Sequence, residues 1–260
     1  MPTPEFTVLV VGASGSIGRH AVTESLGRGY ATRALVRDAR QRAAFPADAE
    51  IVVGDLTNAA TLKDAVADID GIVFTHGSHG GATEAELVDY GAVRNTLSVL
   101  GRRRPRIALM TAIGVTKHTR GHDWKRRGER LVRASGMPYT IVRPGWFDYN
   151  DDDQLRLVML QGDRRWAGDS SDGVVSRVQI AQTLVASLTS PAGNRKTLEL
   201  VAEGGPAQSD LEPLFAALEP DRLGEIDGVQ DRPNMPLEQE PPEVVAELRA
   251  FADGRTDDPA

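Results

Sequence analysis

The feature that most constrains this chain is the turn near its start, where the apolar run Phe6-Thr7-Val8-Leu9-Val10-Val11 gives way at once to Gly12-Ala13-Ser14-Gly15-Ser16-Ile17-Gly18. A strand that breaks into glycines at this spacing and then enters a helix presents backbone N–H groups at the helix N-terminus, where a pyrophosphate binds. Gly12 permits the tight turn, Gly15 lets a phosphate approach the main chain, and Gly18 lets helix and strand pack closely. A glycine triplet alone is a weak signal. Here a strand precedes it and an amphipathic segment from Ile17 to Leu26 follows, the context that gives the motif its meaning. The turn therefore predicts a dinucleotide site built on Gly12, Ser14, Gly15, Ser16 and Ile17.

Strand and helix patterns then alternate through the first two-thirds of the chain. Strands are predicted at 8–11, 31–36, 51–53, 71–75, 107–111 and 139–142, and helices at 17–26, 59–67, 84–100 and 125–134. This rhythm is that of a parallel sheet covered by helices. After Pro144-Gly145 it changes to acidic and Gly-rich loops, an apolar helix at 178–188, a short strand at 197–201 and a tail rich in Pro, Glu and Asp. Two amphipathic pieces, 211–218 and 244–251, predict that the tail packs on the core with only its last few residues loose. The expected fold is α/β, a doubly wound parallel sheet of Rossmann type with a small C-terminal substrate-binding lobe. Residues 1–260 form a single NAD(P)-binding domain in this reading, and 145–260 contribute the lobe and tail.

Composition narrows the functions open to such a fold. The absence of cysteine removes disulfides, thiolate catalysis and Cys-ligated metals together. A net charge of −7 argues against a nucleic-acid partner, and the one basic run, Arg102 to Arg106, reads as a solvated loop. The acidic run from Asp148 to Asp153 lacks the turn glycine and ligand spacing of a cation site, so no metal is expected. No apolar segment is long enough to span a membrane, and the N-terminal Met1 to Glu5 carries no secretory signal, so a cytoplasmic protein without a membrane partner is expected.

The residue ending the second strand of this fold lies beside the adenosine ribose. An acid there suits NAD, and an arginine suits the 2′-phosphate of NADP. The strand ends Leu35-Val36-Arg37-Asp38, which puts Arg37 at the selecting position and favours NADP, with Asp38 acting against it and Arg33 and Arg40 adding positive charge. After the third strand, Asp55 is placed to accept the adenine amino hydrogen, with Leu56 beside it, or else to cap the next turn. After the fourth, Thr75-His76-Gly77 is expected along the nicotinamide ribose and pyrophosphate.

These residues together resemble the atypical short-chain dehydrogenase/reductases, in particular the NmrA-like NAD(P)-binding branch. The resemblance runs over about residues 6–202 and rests on the glycine turn, Ala34 to Asp38, Gly54-Asp55-Leu56, and the run Ser135 to Gly145 with its Arg143-Pro144-Gly145. Val175 to Ala181 is also similar to a segment opening a late helix in that branch. The resemblance implies a cofactor across the carboxyl ends of the strands, with Pro144 against it, a small-molecule substrate held by the C-terminal third, and a monomer or weak homodimer.

Active members of the wider family use a tyrosine acid with a lysine four residues later, and a Ser or Thr after the fifth strand that orients the substrate carbonyl. By this resemblance Lys125 is the lysine, on the cofactor and in catalysis, and Thr111 is the hydroxyl residue. Gly121 stands where the tyrosine belongs, four residues before Lys125. Three readings stay open. Another acid serves, with His122, Asp123 and His118 nearest and His122 the catalytic candidate. Alternatively, a quinone, flavin-like acceptor or enone is reduced with water as proton source, or the protein binds NADP without turnover and acts as a redox sensor through a protein partner. Tyr90, opening the long helix after the fourth strand, and the pair Trp146-Phe147 are the candidate substrate contacts, the pair pointing to an aromatic or quinone-like substrate. The favoured expectation is an NADPH-dependent oxidoreductase of a small carbonyl, enone or quinone-type compound.

Overall fold

The computed structural model describes residues 6–78 and 81–254. Residues 1–5, where no secretory signal is expected, and residues 255–260, on which the expectation of a loose tail end falls, lie outside the described residues. The strands are β1 Thr7–Val11, β2 Ala31–Val36, β3 Glu50–Val53, β4 Gly71–Phe74, β5 Arg106–Met110, β6 Tyr139–Pro144, β7 Trp146–Phe147, β8 Arg156–Leu160, β9 Val174–Val175 and β10 Lys196–Glu203. The α-helices are α1 Gly18–Gly27, α2 Ala82–Ala85, α3 Gly91–Ser98, α4 Arg120–Ala134, α5 Arg177–Ser187, α6 Glu212–Ala216 and α7 Pro242–Asp253.

The sheet runs β3-β2-β1-β4-β5-β6-β10-β9-β7, with β8 also paired to β10. From β3 to β10 every pairing is parallel, whereas β8 and β9 lie antiparallel to β10. The chain leaves β1 toward β2 and β3 on one side and returns to build β4 onward on the other. The crevice beyond the carboxyl ends of β1 and β4 is thus a topological switch point, where this architecture binds ligands.

Successive side chains of a strand face opposite sides of the sheet. In β1, Val8 and Val10 pack with Ala21 and Val22 of α1 and Ile180 and Leu184 of α5. Leu9 and Val11 pack on the other face with Val93 and Leu97 of α3, Leu131 of α4 and Val244 and Leu248 of α7. A strand buried on both faces reads as an unbroken apolar run, which is why 8–11 was so plain in the sequence.

Five elements differ most from the sequence reading. The helix expected over 59–67 is a single 3₁₀ turn, Ala59–Leu62. Asn58 caps it through Ala60 N–H, and Asp55 engages Thr57 just before; these local side-chain bonds compete with helix propagation. The helix expected over 84–100 contains a π-helical stretch, Glu86–Tyr90, between α2 and α3, and α3 ends at Ser98. Helix α4 starts five residues earlier than the apolar pattern suggested. Thr119 caps it by accepting the His122 N–H at 3.1 Å, and Asp123 in the first turn suits the helix dipole. His122 is therefore a helical residue rather than a loop residue. Finally, β8 lies within the stretch read as loops, and β10 runs three residues beyond the expected strand in total, from Lys196 to Glu203.

Candidate functional site

The glycine turn sits at the switch point in the conformation its sequence requires. Gly12 has φ +80°, and a Cβ there would stand 2.7 Å from the His76 backbone nitrogen. A Cβ on Gly18 would stand 2.2 Å from the Gly12 carbonyl oxygen, so the opening of α1 closes on the end of β1 only without a side chain. Gly15 donates its N–H to the Gly12 carbonyl at 3.0 Å and is itself exposed, as is Ser16. Ile17 is buried in the core and anchors the turn from beneath, while the Ser14 carbonyl accepts the Arg19 Nε–H at 3.1 Å. This exposed loop on a helix N-terminus, too tight for any Cβ at its two ends, fits the pyrophosphate of a dinucleotide.

Along the crevice, the exposed guanidinium of Arg37 stands beyond β2 near Asp55. Asp38, expected to act against an anion here, is turned onto Arg40: it accepts both the Arg40 backbone N–H at 2.9 Å and the Nε–H at 2.8 Å, which hold its carboxyl below the usual range. Asp55 accepts the Thr57 N–H and Oγ–H at 2.9 and 2.8 Å through one oxygen; these bonds lower its pKa. Leu56 packs against the core and its carbonyl accepts Asn95 Nδ2–H at 2.7 Å. On the other side of β1, Thr75 is buried and donates its hydroxyl to the Val11 carbonyl at 3.0 Å, while Gly77 is exposed. His76 is buried between them. Its Nε2–H donates to the Asp89 carbonyl at 3.3 Å, its Nδ1 has no partner, and burial pulls its pKa down to about 4, so the ring is neutral.

Beyond β5 and β6 lies an apolar cavity of about 430 Å³ walled by Ile113, Pro144, Trp146, Phe147 and Trp166, with His122 at its side. Trp146 and Phe147, predicted as substrate contacts, both line it, and so does Pro144. His122 Nδ1 is a buried polar atom without a partner. A Cβ built on Gly121 meets nothing within 4 Å, so the place of the missing tyrosine is open space. Sequence reasoning missed Trp166 because it falls in an irregular loop with no period to mark it. The Arg232 guanidinium covers that ring at 4.2 Å. It also missed Asp163, which is buried at φ +45° and accepts the Gly114 and Thr116 N–H groups, both at 2.6 Å, to shape the loop under the cavity. The Gly162-Asp163 pair was the available turn signal.

Three expected roles change place. The Tyr90 ring lies in the core against Trp124, 5.4 Å between centroids, and its hydroxyl donates to Glu247 of α7, so Tyr90 does not line the cavity. The π-helical stretch and the packing of α7 turn that face of the helix away from the cleft. Thr111 does not turn its hydroxyl to a substrate either: it donates to buried Glu129 at 2.7 Å. Glu129 in turn accepts Arg143 Nε–H at 3.0 Å and Nη2–H at 2.7 Å, and Arg143 pairs with Asp231 at 2.7 Å. The buried carboxylate needs donors, and Thr111 is one of them. Lys125, expected to serve a tyrosine and the cofactor, is paired with the buried Asp89 carboxylate at 2.7 Å. Asp89 also accepts the Ser78 N–H at 3.0 Å and hydroxyl at 2.6 Å, tying down the segment that follows β4.

Comparison with known proteins agrees with this geometry. The model of the NAD(P)H-binding family matches residues 12–191, from the first glycine of the turn to just beyond α5. The chain is 29% identical over 223 residues to the uncharacterized sugar epimerase YhfK of Bacillus subtilis, covering 80% of this chain and 99% of that protein. It is 24% identical over 263 residues to sanguinarine reductase of Eschscholzia californica, covering 82% and 96%. Among solved structures, the oxidoreductase ylbE of Lactococcus lactis superposes with a TM-score of 0.65 at 13% identity, covering 82% of this chain and 96% of that one, a likeness of fold. With the glycine turn at the switch point and a family model spanning well over half its length, this chain belongs to the NAD(P)H-binding family of atypical, NmrA-like short-chain dehydrogenases/reductases.

Proposed function

We propose that the protein is an NADPH-dependent reductase of a small carbonyl, enone or quinone-type compound with a flat, apolar body. The observation that carries this reading is the cavity walled by Trp146, Phe147, Trp166, Ile113 and Pro144 beyond the carboxyl ends of β5 and β6, the same end of the parallel sheet as the glycine turn after β1. Such walls favour a planar substrate that stacks on indole and phenyl faces. The bound dinucleotide supplies the hydride. His122 is the group assigned to donate the proton, one position from the open place left by Gly121. The NADPH preference rests on Arg37, exposed beyond β2, with the competing Asp38 engaged by Arg40. The name of one relative, sanguinarine reductase, supports reduction as the reaction class.

A second reading is a non-catalytic NADP-binding sensor acting through a protein partner. It is favoured by the engagement of Thr111 with Glu129 and of Lys125 with Asp89, which leaves the family's usual catalytic set unassembled. One experiment separates the two. Purified protein is titrated with NADPH by calorimetry, then assayed for NADPH consumption with a quinone, an enone and an aldehyde. Consumption that falls about a hundredfold in His122→Phe, with NADPH affinity unchanged, supports the reductase and its acid. Tight NADPH binding with no consumption supports the sensor, and absence of binding overturns both.

A further inference from the structure

Arg177, the first residue of α5, belongs to the C-terminal part of the chain read as the substrate lobe, yet its side chain reaches back to the glycine turn. Its Nε–H donates to the Ser16 hydroxyl at 3.0 Å across a sequence separation of 161 residues. A terminal nitrogen of the same guanidinium pairs with the Asp148 carboxylate, and the Arg177 backbone N–H donates to the other Asp148 oxygen at 2.9 Å. The guanidinium also lies over the Phe147 ring, 5.5 Å from its centroid, and Phe147 is a wall of the cavity. Asp148 holds φ +58°, a conformation that costs a non-glycine residue energy and that the Arg177 contacts help to maintain.

We propose that Arg177 is a pyrophosphate clamp carried by the substrate lobe, and that Asp148 is the intramolecular carboxylate that competes with the dinucleotide for its guanidinium. This rests on the dinucleotide reading above. The Ser16 hydroxyl belongs to the exposed loop whose main chain faces the crevice, so a cation hydrogen-bonded to it stands at the rim of the anion site. A guanidinium prefers a bidentate, doubly charged oxyanion to a single exposed carboxylate, and its planar fork suits phosphate oxygens. Its side chain is about one-third exposed, which leaves it room to turn from one anion to the other. Because the same guanidinium covers Phe147, turning toward the pyrophosphate alters the cavity wall. Dinucleotide binding is thereby coupled to the shape of the substrate site.

The test is a calorimetric titration with NADPH and with NADH of the wild type, Arg177→Gln and Asp148→Asn. A clamp on the pyrophosphate, which both dinucleotides share, predicts that Arg177→Gln weakens both by the same factor, about tenfold to a hundredfold. Asp148→Asn keeps the acceptor for the Arg177 N–H and suits the positive φ, but gives up the competing charge, so it is expected to tighten both dinucleotides severalfold. The opposite signs are what a merely structural tie does not produce. If Arg177→Gln leaves both affinities within twofold of the wild type, or if Asp148→Asn weakens them as much as Arg177→Gln does, the clamp is wrong while the dinucleotide site stands. If the wild type binds neither dinucleotide, the site and the clamp fall together.

Discussion

The ammonium nitrogen of Lys125 lies 2.7 Å from a carboxylate oxygen of Asp89, and that carboxylate is almost wholly buried. The same carboxylate accepts the Ser78 amide and hydroxyl, so the lysine neutralises the group that holds the segment after β4 against the helix. Breaking a buried pair from one side leaves an uncompensated charge. Lys125→Met is therefore expected to lose about 3 kcal/mol of stability in urea denaturation, and adding Asp89→Asn to recover part of that loss. A Lys125→Met chain as stable as the wild type would show that the pair does not hold this segment.

The three glycines of the turn divide in their tolerance. At Gly15, exposed and with φ outside the positive range, a Cβ would stand 3.1 Å from the Gly12 carbonyl oxygen; at Gly18 the figure is 2.2 Å, against main chain that cannot swing aside. Gly15→Val is expected to abolish binding of both dinucleotides and leave the circular-dichroism spectrum and melting temperature close to the wild type. Gly18→Ala is expected to destabilise the fold by about 1–3 kcal/mol, the ordinary cost of overpacking. Equal melting temperatures for the two variants would contradict the close approach.

Arg37 carries the choice between the two dinucleotides in our reading. Arg37→Ala is expected to weaken NADPH about tenfold or more and leave NADH within about twofold, since only the first offers a phosphate at that ribose. Equal weakening of both would move the selecting role to another residue. The contrast with Arg177, whose loss is expected to weaken both alike, tells the two guanidiniums apart.

Glu199 on β10 is buried, and one of its oxygens has no hydrogen-bond partner. Burial pushes its carboxyl up to about 7; Arg143, 3.8 Å away, opposes this, while Asp163 and Asp231 reinforce it. A carboxyl whose pKa is higher in the fold than in the unfolded chain keeps its proton in the fold after the unfolded chain has lost it. Its contribution to stability therefore declines as pH rises from about 4.5 to about 7 and is flat above. Glu199→Gln is expected to be more stable than the wild type at pH 8, by about 2–3 kcal/mol, with the difference vanishing near pH 4. Urea denaturation at the two pH values measures it, and a difference independent of pH would remove titration as the cause.

Much of the fold was legible because its signals are local. The β1 run, the glycine turn and the following amphipathic helix each declare themselves within a few residues, and the alternation of strands and helices implies the parallel sheet. Trp146 and Phe147 were found because they directly follow a strand end, where this architecture opens its cleft. The failures have one character. The polar first turn of α4 hid its start, so His122 was read as a loop residue, and the apolar pattern around Tyr90 did not say which neighbour that ring would meet.

What the sequence determined by itself is thus the parallel part of the sheet, the glycine turn and the Trp146-Phe147 part of the cavity wall, since periodicity and glycine spacing are properties of the chain and of φ/ψ sterics. Only the tertiary structure decided where the charges go. Thr111 meets Glu129, Lys125 meets Asp89, Arg143 meets Asp231, and Arg177 reaches Ser16. A charged side chain has no periodic pattern to name its partner. Its cost of burial is offset by whichever opposite charge the packed elements bring within reach, and that choice exists only once the sheet, α4 and the C-terminal segment have come together.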